Sequence, residues 1–177
     1  MKVFIVLAFT LLFQASASAD VSLTAPEGYT KRNCSVMDCS FFSPDGWHVF
    51  ERVRQGIPEV YLTLENYEKS GDFSLGVIIQ FEKNIESFKN LLLSYNKQMK
   101  AHGKILASSE TYSGTIKKHS FLVFLEKQNV IMDLSLWSDS GSKDVYVLRT
   151  DAPASEWEKH FKIVSPILSN FSITGIK

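Results

Sequence analysis

Residues Ile105–Arg149, ILASSETYSGTIKKHSFLVFLEKQNVIMDLSLWSDSGSKDVYVLR, decide the fold. Four runs rich in β-branched and aromatic residues follow one another: Ile105–Tyr112, Thr115–Leu125, Val130–Trp137 and Lys143–Arg149. Between them stand Ser113-Gly114, Glu126–Asn129 and Ser138–Ser142. These are turn chemistries of hairpin length, so the stretch reads as an antiparallel meander. In the third run Met132, Leu134 and Leu136 alternate with Ile131, Asp133, Ser135 and Trp137. Side chains alternate across a strand, so one face is expected on the core and the other is expected polar.

Working upstream, NIESFKNLLLSYNKQMKAHG is the clearest helix. Ile85, Phe88, Leu92, Tyr95 and Met99 recur at three- and four-residue steps and make one apolar face for core packing. Asn84 is the expected N-cap, and Gly103 the expected left-handed cap at the other end. Before it, Val60–Leu64 is β-prone, Ser70-Gly71-Asp72 is a turn, and Phe73–Phe81 is a strand interrupted by Gly76. Downstream, Ser155 and Glu158 form an S-x-x-E capping pattern for a helix striped by Trp157, Phe161, Val164 and Leu168. His160 falls one position off that stripe, and Pro166 is expected to kink or shorten the helix. NFSITGI then reads as a terminal strand. The order is that of an α+β protein, an antiparallel β-sheet with helices packed on it.

The N-terminal region is a different kind of sequence. Lys2 precedes an apolar run from Val3 to Phe13, and Ala17-Ser18-Ala19 follows as a cleavage motif before Asp20. Residues 1–19 therefore read as a secretory signal peptide, the run being well short of the ~20 residues that span a bilayer. No later run is long enough to span a membrane. Residues 20–33, with Pro26 and Gly28, read as an irregular lead-in, and 34–177 as a single domain. APEGY (Ala25–Tyr29) echoes SPDGW (Ser43–Trp47), but the flanks do not match and no repeat is inferred. The turn Pro44-Asp45-Gly46 has Cys39–Phe42 and Trp47–Val53 on either side, which together read as a first hairpin. Trp47 is expected in the core.

Cys34 and Cys39 are the only cysteines. In an exported chain, such a neighbouring pair reads as a disulfide. One continuous strand would hold the two about 16 Å apart, whereas a bridge needs Cα atoms within about 7 Å. So Ser35–Asp38 must turn and the strand must begin near Cys39. The closed loop is small and should contribute about 2 kcal/mol. A C-x4-C spacing is not the redox C-x-x-C, and no second ligand pair accompanies it for a metal.

Three segments carry a family resemblance: FFSPDGW, YLTLENYEKSGDFSLGVIIQFEKN and DVYVLRTDAPASEWEKHFKIVSPILSNFSI. Their order resembles the PsbP-like fold, shared by PsbP proteins of photosynthetic membranes, nuclear Ran-binding Mog proteins and exported bacterial DcrB-like proteins. The resemblance covers Cys39 to Ile173 and leaves out the Cys34 segment. It implies an α/β/α sandwich and an exported bacterial-type member that binds or assists and is not an enzyme. It supplies no catalytic motif and nothing that points to photosystem binding.

The residues themselves agree with that. With 19 basic and 19 acidic residues, the near-neutral chain has no long-range field for nucleic acid. No G-x-S-x-G, P-loop, G-x-G-x-x-G or H-E-x-x-H occurs. His48, His102, His119 and His160 are not spaced as metal ligands. Asp133, Asp139 and Asp144 read as solvated turn residues and not as a cation loop. Asn33-Cys34-Ser35 and Asn170-Phe171-Ser172 match glycosylation sequons, which matter only in a eukaryotic secretory pathway. The expectation is a monomeric periplasmic or secreted binding protein without cofactor or metal, its partner another protein or a small ligand. Tyr61, Tyr67, Phe73, Tyr112 and Trp137 are the candidate binding surface, since tyrosine and tryptophan anchor interfaces. The alternative is a small hydrolase or metal-dependent enzyme whose site assembles only in three dimensions.

Overall fold

The computed structural model describes residues 24–70 and 75–173. The expected signal peptide, the start of the lead-in, and Phe73 lie outside the described residues. The elements run β1 (Tyr29–Asn33), β2 (Cys39–Pro44), β3 (His48–Arg54), β4 (Ile57–Thr63), α1 (Tyr67–Ser70) and β5 (Gly76–Glu82). There follow α2 (Phe88–His102), β6 (Lys104–Ser113), β7 (Ile116–Leu125), β8 (Val130–Asp139), β9 (Val145–Pro153), α3 (Trp157–Ser169) and β10 (Ser172–Ile173). The meander forms as expected, β6 to β9 pairing in sequence order. It continues through β5 and β4 to β3, giving a seven-stranded antiparallel sheet.

The first hairpin is not where the turn chemistry put it. Pro44-Asp45-Gly46 does turn, with Gly46 at φ +80°, but β2 and β3 do not pair. β2 lies between β1 and β10 in a separate three-stranded sheet, while β3 pairs with β4. All six β2 residues are buried, so this strand needs cover on both faces, which a plain hairpin does not supply. The true hairpin turns at Gln55-Gly56, both with positive φ, as a tight two-residue β-turn requires. The lead-in is likewise not irregular throughout, because Tyr29–Asn33 is the strand β1. The two echoing turns sit side by side: Asp45 N–H donates to the Gly28 carbonyl at 2.8 Å.

Cys34 and Cys39 are disulfide-bonded with Cα atoms 5.4 Å apart, the intervening residues turning and β2 beginning at Cys39. Glu51 of β3 accepts from Ser35 N–H (2.7 Å), Ser35 Oγ (2.7 Å) and Val36 N–H (3.2 Å), so it clamps the loop to the large sheet.

Each face of the large sheet carries its own core. On one, Val60, Leu62, Ile79 and Leu148 pack with Phe41 of β2 and with Val164 and Ile167 of α3. Trp47 joins this cluster, half-buried. Trp137 also lies on this face, edge-on to Phe171 at 5.5 Å, so the second face of β8 is not polar as expected but partly covered. On the other face, Phe121, Val123, Leu134, Leu136 and Val147 pack under the Phe88–Leu92–Tyr95–Met99 stripe of α2.

The helix ends differ from expectation. Ser87, not Asn84, caps α2, accepting from Asn90 N–H, and Asn84 takes a positive φ of 54° one turn earlier. Gly103 is extended and not left-handed. It is needed because a Cβ there would collide with the Phe124 carbonyl oxygen. Glu156 starts α3 without a side-chain cap, so Ser155 does not serve as one. Pro166 lies inside α3, which runs on through it to Ser169, with Asn170 donating to the Pro166 carbonyl. His160 faces inward, only 3% exposed, because the buried stripe of α3 is His160, Val164, Ile167 and Leu168 and leaves Phe161 outside.

Candidate functional site

Three segments far apart in sequence meet at one end of the face covered by α2: the first turns of α2, the β6–β7 turn and the β8–β9 loop. Local bonding fixes each. Gly114, at φ +58°, allows the tight turn between β6 and β7. Ser140 N–H donates to Thr115 O at 2.9 Å, which ties the β8–β9 loop to that turn. Ile85 N–H donates to Lys143 O at 2.9 Å and Asn84 N–H to Asp144 Oδ1 at 3.0 Å, anchoring the lead into α2 on the same loop. Between them lies a cavity of about 670 Å³, within the usual range of small-molecule sites. Phe88, Leu92 and Leu93 form its helix wall and Phe121 part of its floor.

The charged floor is a row across β6 and β7. Glu110 accepts from Tyr112 Oη at 2.6 Å, Lys117 Nζ at 3.0 Å and His119 Nδ1 at 3.4 Å. The Tyr112 bond first, then the ammonium of Lys117, brings the Glu110 carboxyl down to about 2. The same bond to Glu110 raises Lys117. The Lys117 ammonium also lies 5.4 Å from the Phe88 ring centre and 5.5 Å from that of Tyr112. His119 Nε2 in turn lies 3.1 Å from Ser108 Oγ, so Ser108, His119 and Glu110 stand in the order of a hydrolase triad.

That row is poorly built for acyl transfer. Ser108 is exposed on the edge strand and is not part of the cavity lining, so nothing excludes water there. Glu110 is shared with closer donors, and a carboxylate already neutralised by Lys117 has little left to stabilise an imidazolium.

Two atoms in the cavity wall are of another kind. Asn96 Oδ1 from α2 and Asp139 Oδ1 from the end of β8 are buried and have no hydrogen-bond partner among the described residues. Each such acceptor is costly when shut away from water, so each is a place for a donor.

The four described aromatic candidates, Tyr61, Tyr67, Tyr112 and Trp137, do not gather into one surface. Tyr61 is buried at 5% exposure, stacked under Tyr67 at 4.6 Å. Around it Glu59 accepts from Arg52, Tyr61 and Gln80. Burial works against the Glu59 charge, but those bonds outweigh it and hold the carboxyl below its usual value. Burial, then Glu59, pushes Tyr61 up to about 12. Trp137 lies on the opposite face of the sheet from Tyr61 and Tyr112, with Lys118 Nζ 4.6 Å from its ring centre. Of the described candidates only Tyr112, 67% exposed, stands at the cavity. His160 bonds Thr150 Oγ1. Thr150 gives its own proton to the Gly76 carbonyl at 2.7 Å, so the Nε2–H of His160 donates to it, while burial disfavours the charged ring. The three aspartates have separate settings: Asp133 accepts from Ser135, Asp144 from Asn84, and Asp139 lines the cavity. No group of three or more His, Cys, Asp or Glu residues among those described is placed to hold a metal ion.

Part of this site was within reach of the sequence. Counting outward from the Ser113-Gly114 turn pairs Ser113 with Ile116 and so sets Glu110 opposite His119. Asn96 gave no such signal, because its neighbours lie on strands that only the sheet order brings beneath α2.

Searches for relatives agree with the geometry on fold alone. No family model and no curated protein sequence matches the chain. Solved structures do. PsbP of the cyanobacterium Synechocystis sp. PCC 6803 superposes with a TM-score of 0.58 at 9% identity, covering 90% of this chain and 98% of that one. The Ran-binding protein Mog1p of Saccharomyces cerevisiae gives a TM-score of 0.51 at 10% identity, covering 82% and 95%. The chain has the PsbP-like fold. No helix among its described residues is long and apolar enough to cross a membrane.

Proposed function

We propose that this is an exported, non-enzymatic binding or accessory protein, a monomer that acts through the cavity between α2 and the β6–β7–β8 end of the sheet. In this reading the sheet with α2 and α3 on its two faces makes the α/β/α sandwich of the fold, and the protein is periplasmic or secreted after cleavage behind Ala19. The disulfide supports export, since such bonds persist in oxidising compartments. The observation that carries the binding reading is the pair of unpartnered acceptors, Asn96 Oδ1 and Asp139 Oδ1, in a roomy cavity. Of the aromatic candidates, Tyr112 belongs to this site; the Tyr61–Tyr67 stack and Trp137 do not.

The test is a ligand screen by thermal shift on the wild type and on Ser140→Trp, which fills the cavity from its rim. Ligands that stabilise the wild type and lose their effect in the variant support the reading. Ligands that act equally on both overturn it. The second reading, a hydrolase, rests on the Ser108–His119–Glu110 alignment. Turnover of p-nitrophenyl acetate abolished by Ser108→Ala would establish that reading in place of binding.

A further inference from the structure

The lining of the cavity also restricts the chemistry of its ligand, and this deduction rests on the binding reading above. Its two buried orphan oxygens both accept, so the ligand must bring donors. The donors are not cationic. Lys89 and Lys117 line the same space, so a cationic ligand would enter beside two ammonium groups. An anion fares no better, because Asp139 and Glu110 line the cavity too. Glu110 and Lys117 cancel one another through their ion pair, leaving one aspartate and one lysine, a balanced field that selects against either sign.

An uncharged molecule with clustered hydroxyl donors meets these conditions. Its C–H side would lie against Phe88, Leu92 and the exposed ring of Tyr112. Its hydroxyl side would reach Asn96 and Asp139, with the serine hydroxyls of the β8–β9 loop able to donate or accept beside them. We propose that the cavity is a saccharide-binding site, read by Asp139 and Asn96 from the polar side and by Phe88 and Tyr112 from the apolar side.

The experiment is a two-dimensional NMR titration of the ¹⁵N-labelled chain with maltotriose, cellotriose and chitotriose, each run separately. Parallel arms use 1,4-diaminobutane and inorganic phosphate. A saturable shift of the Asn96 side-chain amide and of the Gly114 and Ser140 backbone amides by one saccharide is the expected result. Asp139→Ala and Asn96→Ala should each weaken that binding by at least about tenfold. Because each removes an oxygen that has no partner in the free protein, neither should lower the melting temperature, which separates lost recognition from lost folding. Shifts at these positions from the diamine or phosphate but from no saccharide overturn the ligand class and leave the cavity reading standing. Saccharide shifts confined to other surfaces, or no saccharide response at all, overturn the proposal outright. The thermal-shift comparison with Ser140→Trp then judges the binding reading separately.

Discussion

The two faces of the seven-stranded sheet are closed by helices of opposite character. On one, α3 sinks Val164 and Ile167 to zero exposure against β2 and the sheet. On the other, α2 has no fully buried residue; its stripe rests half-covered on Phe121, Leu134 and Leu136. The polar groups differ in what surrounds them. Under α3, His160 Nε2 bonds Thr150 and the strand hydroxyls are bonded, while His160 Nδ1 and Trp137 Nε1 are buried without a partner among the described residues and neither lines the cavity. Under α2, two acceptors remain unpartnered and a cavity stays open. One face is packed closed and the other leaves part of its burial incomplete around an open cavity, which is where a protein this size can hold a ligand.

The comparison breaks most readily at the α3 core. Ile167→Ala should cost about 2–5 kcal/mol, as large-to-small changes at fully buried positions do. Leu92→Ala on the half-covered α2 should cost distinctly less. Urea denaturation of both variants measures the contrast, and equal losses would mean that the faces are equally packed. Gly103→Ala probes how closely the end of α2 approaches β7. The added Cβ meets backbone and not a flexible side chain, so a loss of about 1–3 kcal/mol is expected from overpacking. A neutral result would show that α2 can shift freely on its face. Replacing both cysteines by serine should lower stability by about 2 kcal/mol, and free-thiol titration of the unreduced wild type should find none.

The smallest effect is a pH dependence confined to the α3 face. Burial lowers the His160 pKa, only partly offset by Asp151. Its contribution is therefore complete above the unfolded value of about 6.5 and is lost as the pH falls through the lower folded value, where the unfolded chain takes the proton first. The stability of His160→Gln should fall less steeply than that of the wild type over that acidic window. Parallel slopes would mean that the imidazole is not shut away from protons.

What could be read in the sequence was local. The β6–β9 meander was legible because hairpin turns and β-branched runs carry their own geometry. The disulfide was legible because a strand cannot bring Cys34 to Cys39 without turning. The choice of partner for β2 was not, since Pro44-Asp45-Gly46 sets a change of direction and says nothing about which edge the strand will find. His160 was misplaced because Trp157 and Phe161 set the apparent stripe one position round from the true one, large aromatics drawing the helical phase toward themselves. The cavity was illegible for a plainer reason: α2, the β6–β7 turn and the β8–β9 loop are neighbours only after the sheet has ordered itself.

The position of β10 carries a consequence for time. Strand β2 pairs with β1, a few residues before it, and with Ser172–Ile173 at the far end, Ser40 facing Ser172 across the ladder. The small sheet therefore cannot be completed until the last strand is available, whereas each hairpin of β6–β9 closes over a short loop. Loop-closure entropy and contact order then rank the two: the meander can nucleate early, and the small sheet is the slow, final step. In pulse-labelled refolding the amides of β7 and β8 should gain protection before those of Cys39–Phe42, and simultaneous protection would contradict that order. Until that step, the backbone groups of β2 along its β10 edge stay unpaired, an open strand edge that the nascent chain carries until Ser172–Ile173 are in place.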